Sequence, residues 1–415
     1  MGLISFQIYA YDFISDGIHY NILSETDRTV TGGNEYSESI VIPPKAIHNS
    51  KTYSVIKIGK SAFKGYRYLT SLTLPNSITT IETGAFKGCC SLTSLTLPNS
   101  LTTIASETFE DCFRLTSLTL PNSLTSIGYN AFKGCSSLTS LTLSNSLTSI
   151  GNYAFQGCSS LTSLTLPNSL TSIRETAFEG CSNLENIFVD DGNIMFSSID
   201  GVLYNKDAST LIRCPLKKTS VTLPSSLTTI GGGAFIDCSS LTSLTFPNSL
   251  TTIGAGAFKD CSSLTSLTLP NSLTTIEENA FYSCNDLKRI NMLCETPIEC
   301  NPRFSEEALK NAILYIPIGT LAEYEKVDPW RNFWNIKEVN FAGINETEAD
   351  DMSLRLIWNN GILSIEGIDE NESITIYDMS GHVVHSGTEH NVEYLVPGIY
   401  IVKAGKRGTK FAVLE

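Results

Sequence analysis

Cysteine and histidine are the residues of this chain whose types suit metal or redox chemistry, and it has twelve cysteines and five histidines. Eight of the cysteines recur every 23 residues in two runs, namely Cys89, Cys112, Cys135, Cys158 and Cys181, then Cys238, Cys261 and Cys284. They lack the CxxC pairs or Cys/His clusters that zinc requires. Side chains stacked in parallel suit the disulfide dihedral angle poorly. The spacing therefore predicts an internal row of small buried thiols.

The remaining candidate ligands give weaker signals. Cys294 and Cys300 lie outside the row and could form a disulfide bond in an oxidising compartment. His382, His385 and His390 lie close in sequence, but a spacing of three along a strand places the first two on opposite faces. We therefore predict no metal site there.

Two short motifs resemble ligand loops without completing them. Gly231, Gly232 and Gly233 lie in register with a repeat, so they do not predict a phosphate loop. The run 190–193 (Asp-Asp-Gly-Asn) lacks the full ligand pattern and the terminal Glu of a calcium loop. Since no nucleophile–base pair or carboxylate pair forms a local motif either, the sequence predicts a non-enzymatic protein without a cofactor.

Composition limits the possible partners. The chain has 415 residues and a net charge of −14, which argues against nucleic acid and anionic lipid surfaces as partners. It contains no apolar run of the roughly 20 residues that span a bilayer. The first ten residues are mildly apolar without a basic start, so they are either a first strand or the remnant of a signal peptide.

The thiols belong to a 23-residue repeat. Phenylalanine marks nine copies at positions 63, 86, 109, 132, 155, 178, 235, 258 and 281. Within one copy, Leu164 and Leu166 alternate with Ser163 and Thr165, which predicts a half-buried strand. Pro167 ends that strand because proline cannot donate to a ladder. One copy cannot bury its apolar face alone, so we expect a solenoid with one parallel strand per coil.

The phrase Ala-Phe-x-Gly-Cys-x-x-Leu-x-x-Leu-x-Leu-Pro-x-x-Leu-x-x-Ile resembles the BspA-like leucine-rich-repeat family. The resemblance implies a leucine-rich-repeat solenoid with short helical turns on a protein secreted from, or attached to the surface of, a Gram-negative anaerobe. It also implies an adhesin-like role in which a host matrix protein or glycan is the partner. Residues 1–57, with Ile40 to Pro43, resemble the family's N-terminal β cap.

The remaining boundaries follow from changes in pattern. Repeats cover residues 58–293, interrupted by an irregular coil at 190–220. A C-terminal cap follows at 294–341, with Ser305 as a helix N-cap and Trp330, Phe333 and Trp334 covering the last coil. An aromatic sugar platform is the alternative role for these rings.

Residues 342–352 form an acidic linker, and 353–415 read as short alternating strands. They predict a small all-β sandwich that resembles bacterial secretion-sorting domains through 376–381 (Ile-Tyr-Asp-Met-Ser-Gly), 398–400 (Gly-Ile-Tyr) and 410–411 (Lys-Phe). A retained β module without sorting activity is the alternative.

The candidate binding residues are those that break the repeat. Most coils carry Ser-Ser after the ladder cysteine, but two carry Arg67-Tyr68 and Phe113-Arg114, which are residue types enriched at interfaces. They form a partner site or pack under the N-terminal cap. Tyr204 lies in a predicted hairpin of the irregular coil, which either bends the solenoid or projects as a contact loop.

Rows of hydroxyls, from Ser71 and Thr73 to Ser266 and Thr268, cover the strand face and lack anchors for tight protein binding. They serve solubility, or they meet a repetitive target such as a glycan. The leading hypothesis is thus a non-enzymatic surface or secreted binding protein. The alternative is a structural, self-associating solenoid without a specific ligand.

Overall fold

The computed structural model describes residues 11–33, 37–300 and 304–341, and in the C-terminal part residues 355–359, 362–366, 373–378, 382–389, 391–393, 395, 398–404 and 407–413. The chain forms two compact units, Met1–Asn340 and Phe341–Glu415. The first is a β-solenoid and the second contains antiparallel strands.

Each regular coil contributes two short parallel strands, which we name the face strand and the return strand. The face strands are Ser39–Val41, Ser71–Thr73, Ser94–Thr96, Ser117–Thr119, Ser140–Thr142, Ser163–Leu166, Asn186–Val189, Ser266–Leu269, Arg289–Met292, Ile313–Pro317 and Asn335–Val339. The return strands are Lys51–Ile58, Thr80–Ile81, Thr103–Ile104, Ser126–Ile127, Ser149–Ile150, Ser172–Ile173, Thr210–Arg213, Thr229–Ile230, Thr252–Ile253 and Thr275–Ile276. The prediction of one strand per coil was therefore wrong, because the Thr-Ile or Ser-Ile step also pairs with its neighbours.

The 23-residue period sets the register of both rows of strands. Leu118 pairs with Leu141 in the face row, and Ile127 pairs with Ile150 in the return row. Alternation places Leu118 in the core, while Ser117 and Thr119 face solvent. Identical side chains therefore stack coil on coil.

Phenylalanine and cysteine form a coupled ladder on the side of the coil opposite the face strands. The Phe132 and Phe155 rings stack at 5.4 Å, and the Phe132 N–H donates to the Ala154 carbonyl of the next coil at 2.8 Å. Cys158 Sγ donates to the Phe132 carbonyl at 3.3 Å. The same bond is formed by Cys89, Cys112, Cys135, Cys181, Cys261 and Cys284. The predicted row of buried thiols is confirmed, and each thiol satisfies a buried carbonyl.

Serine has a structural role in the turn after the face strand. Ser123 Oγ donates to the Leu101 carbonyl at 2.6 Å, and Ser169 Oγ donates to the Leu147 carbonyl at 2.7 Å. Both acceptors lie in the preceding coil. The Pro-Asn-Ser step therefore joins coils through side chains in a turn without ladder bonds.

The predicted N-terminal cap continues both rows of strands. Its remaining strands are Phe13–Ser15, Ile18–Ile22, Asp27–Gly32 and Lys45–His48. Ile40 pairs with Leu72 in the face row, and Ile58 pairs with Ile81 in the return row. Tyr66 stands where later coils have cysteine, and its hydroxyl donates to the Gly33 carbonyl at 2.9 Å. It thereby ties the first coil to the cap.

The irregular coil contains two hairpins rather than the one predicted. A 3-10 turn, Glu175–Phe178, precedes it; the antiparallel strands are Phe196–Ile199, Val202–Asn205 and Thr210–Arg213. Cys214 occupies the phenylalanine slot, since its N–H donates to the Ala234 carbonyl at 2.8 Å. The Arg213 guanidinium is buried and donates to the carbonyls of Gly233 and Ile236. The hydrophobic core separates here into an N-terminal and a C-terminal cluster.

The solenoid ends on a cap with helices Glu306–Asn311 and Leu321–Tyr324 and a 3-10 turn Trp330–Asn332. Ser305 caps the first helix, as predicted, by accepting from the Ala308 N–H at 3.2 Å. Trp330 and Phe333 are buried, but the predicted covering role of Trp334 was wrong because that side chain is 72% exposed. Phe304, which the sequence analysis missed, stacks on Phe281 at 5.5 Å and extends the ladder by one step.

The C-terminal unit has two antiparallel sheets around one apolar cluster. Their strands are Arg355–Asn359, Ile362–Glu366 and Asn391–Glu393 in one sheet, and Ile374–Asp378, Val383–Gly387, Gly398–Ala404 and Arg407–Val413 in the other. Leu363 of the first sheet and Ile376 and Val402 of the second are buried in that cluster. The predicted acidic linker at 342–352 lies outside the described residues.

Candidate functional site

Four residues that break the repeat lie exposed on the solenoid. Arg67, Tyr68, Phe113 and Arg114 are all exposed, with Tyr68 at 58% and Phe113 at 45% of their full side-chain surface. We call them the broken stripe. The alternative that they pack under the N-terminal cap is wrong, because cap packing requires burial.

Coil stacking sets the spacing of the broken stripe. The Ser137 N–H donates to the Phe113 carbonyl at 3.2 Å, and the Ser160 N–H donates to the Ser136 carbonyl at 3.1 Å, so this slot forms a continuous backbone row. Arg67-Tyr68 and Phe113-Arg114 are two coils apart, which corresponds to about 10 Å at the usual strand spacing. One partner surface can therefore contact both pairs.

The acidic groups nearest in sequence are already engaged. Lys87 Nζ lies 2.7 Å from both Glu107 Oε2 and Glu110 Oε2. Burial opposes the charged amine, but the hydrogen bonds from Glu107 and Glu110 outweigh it and raise the pKa of Lys87. Among the described residues no ion pair holds Arg67 or Arg114. Both guanidinium groups face solvent.

Tyr204 does not belong to any binding surface, which corrects its prediction as a contact residue. Its side chain is fully buried, and it lies in the C-terminal core cluster. The pairing register shifts between Leu203 and Tyr204, so Val202, Leu203 and Tyr204 are all buried instead of alternating. Burial raises the pKa of the Tyr204 hydroxyl above its ordinary value of 10.0.

Sequence reasoning missed several exposed apolar side chains. Phe188 is 46% exposed and pairs with Thr165, so it interrupts a hydroxyl row that was predicted to lack aromatics. Ile194 and Met195 are 73% and 45% exposed. The signal for Phe188 was its place, 23 residues after Thr165.

The repeat is also matched as a family. The BspA type Leucine rich repeat region matches residues 46–135, 102–200 and 208–323, in six copies. These stretches cover more than half of the chain. The chain belongs to the BspA-type leucine-rich-repeat family.

Two solved structures resemble this BspA-type protein. A leucine rich cell surface protein from Faecalibacterium prausnitzii is 26% identical, with a TM-score of 0.55 over 79% of this chain and 94% of that one. The pneumococcal vaccine antigen PcpA is 21% identical, with a TM-score of 0.55 over 79% of this chain and 97% of that one, and it supports the fold alone. No curated protein matches the chain significantly.

The other candidate ligands of this BspA-type protein do not converge within the described residues, where no group of three or more His, Cys, Asp or Glu side chains could hold a metal ion. Asn193 is buried and its amide donates to the Pro167 and Leu170 carbonyls, so the run 190–193 serves the core. His390 lies outside the described residues. Within the part of the chain that the structure describes, no helix has the length and apolarity to cross a membrane.

Both cysteines of the predicted C-terminal pair are present as thiols. Cys294 Sγ donates to the Pro270 carbonyl at 3.3 Å. Burial raises the pKa of Cys300 to about 12. A disulfide bond between them stays a prediction.

Proposed function

We propose that this BspA-type chain is a non-enzymatic bacterial protein, secreted or held at the outer cell surface, that binds a host protein or glycan. Family membership and the name of the Faecalibacterium structure, a cell surface protein, support the location. The partner class rests on the residues below.

The broken stripe carries the proposal. Tyr68 and Phe113 expose large rings, each beside an arginine, at slots where most coils have serine. Exposing such rings leaves apolar surface in water, and burying it on a partner is favourable by about 25 cal/mol per Å². Aromatic and arginine side chains are also those that dominate binding energy at interfaces.

We extend the proposal to residues 353–415 as a module that directs export. Strands Ile374–Asp378, Gly398–Ala404 and Arg407–Val413 coincide with the three motifs that resemble sorting domains. A chain ending at residue 352 is expected to remain inside the producing cell, while the full chain reaches the surface or medium. Equal export of both chains would leave the module with a structural role.

The test is a binding screen of the full chain against matrix proteins, mucins and glycans. It includes a variant in which Arg67, Tyr68, Phe113 and Arg114 are all serine. A matched control replaces two exposed rings and two exposed cations elsewhere with serine: Tyr129, Tyr282, Lys45 and Arg174. Thermal unfolding of all three proteins verifies that each is folded.

We expect saturable binding that falls at least tenfold in the broken-stripe variant and stays unchanged in the control. Binding that survives in the broken-stripe variant would place the site elsewhere on the chain. Concentration-dependent oligomers without any partner would favour the structural alternative.

A further inference from the structure

A second polar cluster lies on the face strands at the C-terminal end of the solenoid. Arg289, Asn291, Tyr315 and Lys337 occupy adjacent strands, because Asn291 pairs with Tyr315 and Tyr315 pairs with Lys337. They continue the outward rows of Ser266 and Thr268, which pair with Arg289 and Asn291. We call these four residues the cationic end. It shares no residue with the broken stripe.

The Arg289 guanidinium is held in place by three groups in series. Its Cζ lies 4.4 Å from the centre of the Tyr315 ring, and its Nε donates to Asn291 Oδ1 at 2.9 Å. Asn291 Nδ2 in turn donates to Thr268 Oγ1 at 3.0 Å. Because stacking and the Nε bond fix the plane of the guanidinium, its two terminal nitrogens remain available as a fork. That geometry matches a carboxylate or sulfate group.

Neither cation is neutralised by the described part of the chain. Arg289 and Lys337 are exposed, and no described carboxylate lies within ion-pair distance of them. Glu338, which follows Lys337, accepts from the N–H groups of Gly319 and Leu321 at 2.8 and 3.0 Å. On a chain of net charge −14, two unpaired cations about 10 Å apart across two strand spacings form a local anion-attracting site.

The surroundings favour a saccharide over a peptide as the anionic partner. The Tyr315 ring is covered by Arg289, so it offers no open apolar anchor of the kind that tight peptide binding uses. The adjoining Ser266 and Thr268 present hydroxyls at coil spacing. We propose that the cationic end binds an acidic polysaccharide, with Arg289 and Lys337 engaging its carboxylate or sulfate groups and the adjoining hydroxyls and Asn291 its sugar hydroxyls.

The experiment measures binding of the full chain to polygalacturonate and hyaluronate, with dextran as neutral polymer and poly-glutamate as acidic peptide. The test variant is Arg289→Gln with Lys337→Gln. The control, Lys45→Gln with Arg174→Gln, removes the same charge from exposed sites elsewhere. A third variant, Arg289→Lys, keeps the charge but removes the fork.

We expect saturable binding to at least one uronate polymer, weakened at least tenfold in the double variant and severalfold in Arg289→Lys, with the control unchanged. Absence of binding to both uronate polymers, or equal loss in the control, would overturn the proposal. Equal affinity for poly-glutamate would overturn the saccharide class. The broken-stripe serine variant should bind these polymers like the unmodified chain, so the two binding proposals can fail separately.

Discussion

At the scale of single residues, the thiols stabilise the solenoid by donating a hydrogen bond from a protonated, buried side chain. Cys158 is buried and bonded to the Phe132 carbonyl of the preceding coil. Burial raises the pKa of Cys89, Cys181 and Cys284 to about 12, from an ordinary value of 9.0. The ladder therefore depends on thiols that remain protonated well into the alkaline range.

These pKa shifts predict a loss of stability at alkaline pH. Above about pH 9 the unfolded chain releases thiol protons that the folded chain retains, so the free energy of unfolding falls as pH rises from 9 towards 12. Each such thiol contributes up to about 1.4 kcal/mol per pH unit. Urea unfolding under reducing conditions at pH 8, 9 and 10 measures the slope. Cys89→Ala should reduce that slope, and equal stability at pH 8 and 10 would contradict the prediction.

Tyr204 allows a core role to be separated from a binding role. Its hydroxyl is buried and has no hydrogen-bond partner among the described residues. Tyr204→Phe should therefore change the free energy of unfolding by less than about 1 kcal/mol, whereas Tyr204→Ser should cost about 3–5 kcal/mol through the cavity. Chemical denaturation measures both. A stable Tyr204→Ser variant that loses partner binding would restore Tyr204 to the site.

At the scale of the coil, two turn slots require left-handed backbone. Gly157 has a φ of +71°, and the atoms nearest to an added Cβ lie 3.8 Å away, so only the dihedral angle restricts this position. Other coils place Asp111, Asp237 and Asp260 in the same slot at a φ of 61–63°. Aspartate tolerates this conformation better than other L residues because its side chain can bond locally.

We therefore expect Gly157→Ala to cost about 1–2 kcal/mol, and Gly157→Asp to cost less than half as much as Gly157→Ala. Thermal or urea unfolding of the two variants compares them directly. If alanine and aspartate cost the same, the slot is limited by something other than the backbone angle.

The same scale separates what the sequence predicts from what it does not. Alternation within one coil predicted the face strand correctly, since Leu164 and Leu166 are buried and Ser163 and Thr165 are exposed. The return strand Ser172–Ile173 has two residues, too few for any alternation, and it exists because stacked coils pair there. Phe304 keeps the 23-residue step but lacks the following Gly-Cys phrase.

The site follows the same division. Exposure at Arg67, Tyr68 and Phe113 results from their repeat slot, which the sequence shows. Burial of Tyr204 results from a register shift, and the Arg289 fork results from pairing across strands 23 residues apart. Neither can be read from a single segment.

At the scale of the molecule, the irregular coil divides the solenoid into two cores. Phe178 closes the first run of stacked rings and Phe235 opens the second, with Cys214 in the slot between them. The buried Arg213 joins the coil to the next one through two carbonyls. Solenoid coils are stabilised mainly by their immediate neighbours, so a weak step limits how far a local defect spreads.

This arrangement predicts that the two halves lose protection separately. Phe132→Ala removes a ring stacked on both sides and should cost about 3–5 kcal/mol in the N-terminal core. Amide hydrogen exchange should then accelerate in residues 80–181, while residues 227–292 keep their protection. Phe258→Ala, at the equivalent position of the second run, should give the reverse pattern. Uniform acceleration in both variants would mean that the solenoid opens as a single cooperative unit despite the interrupted ladder.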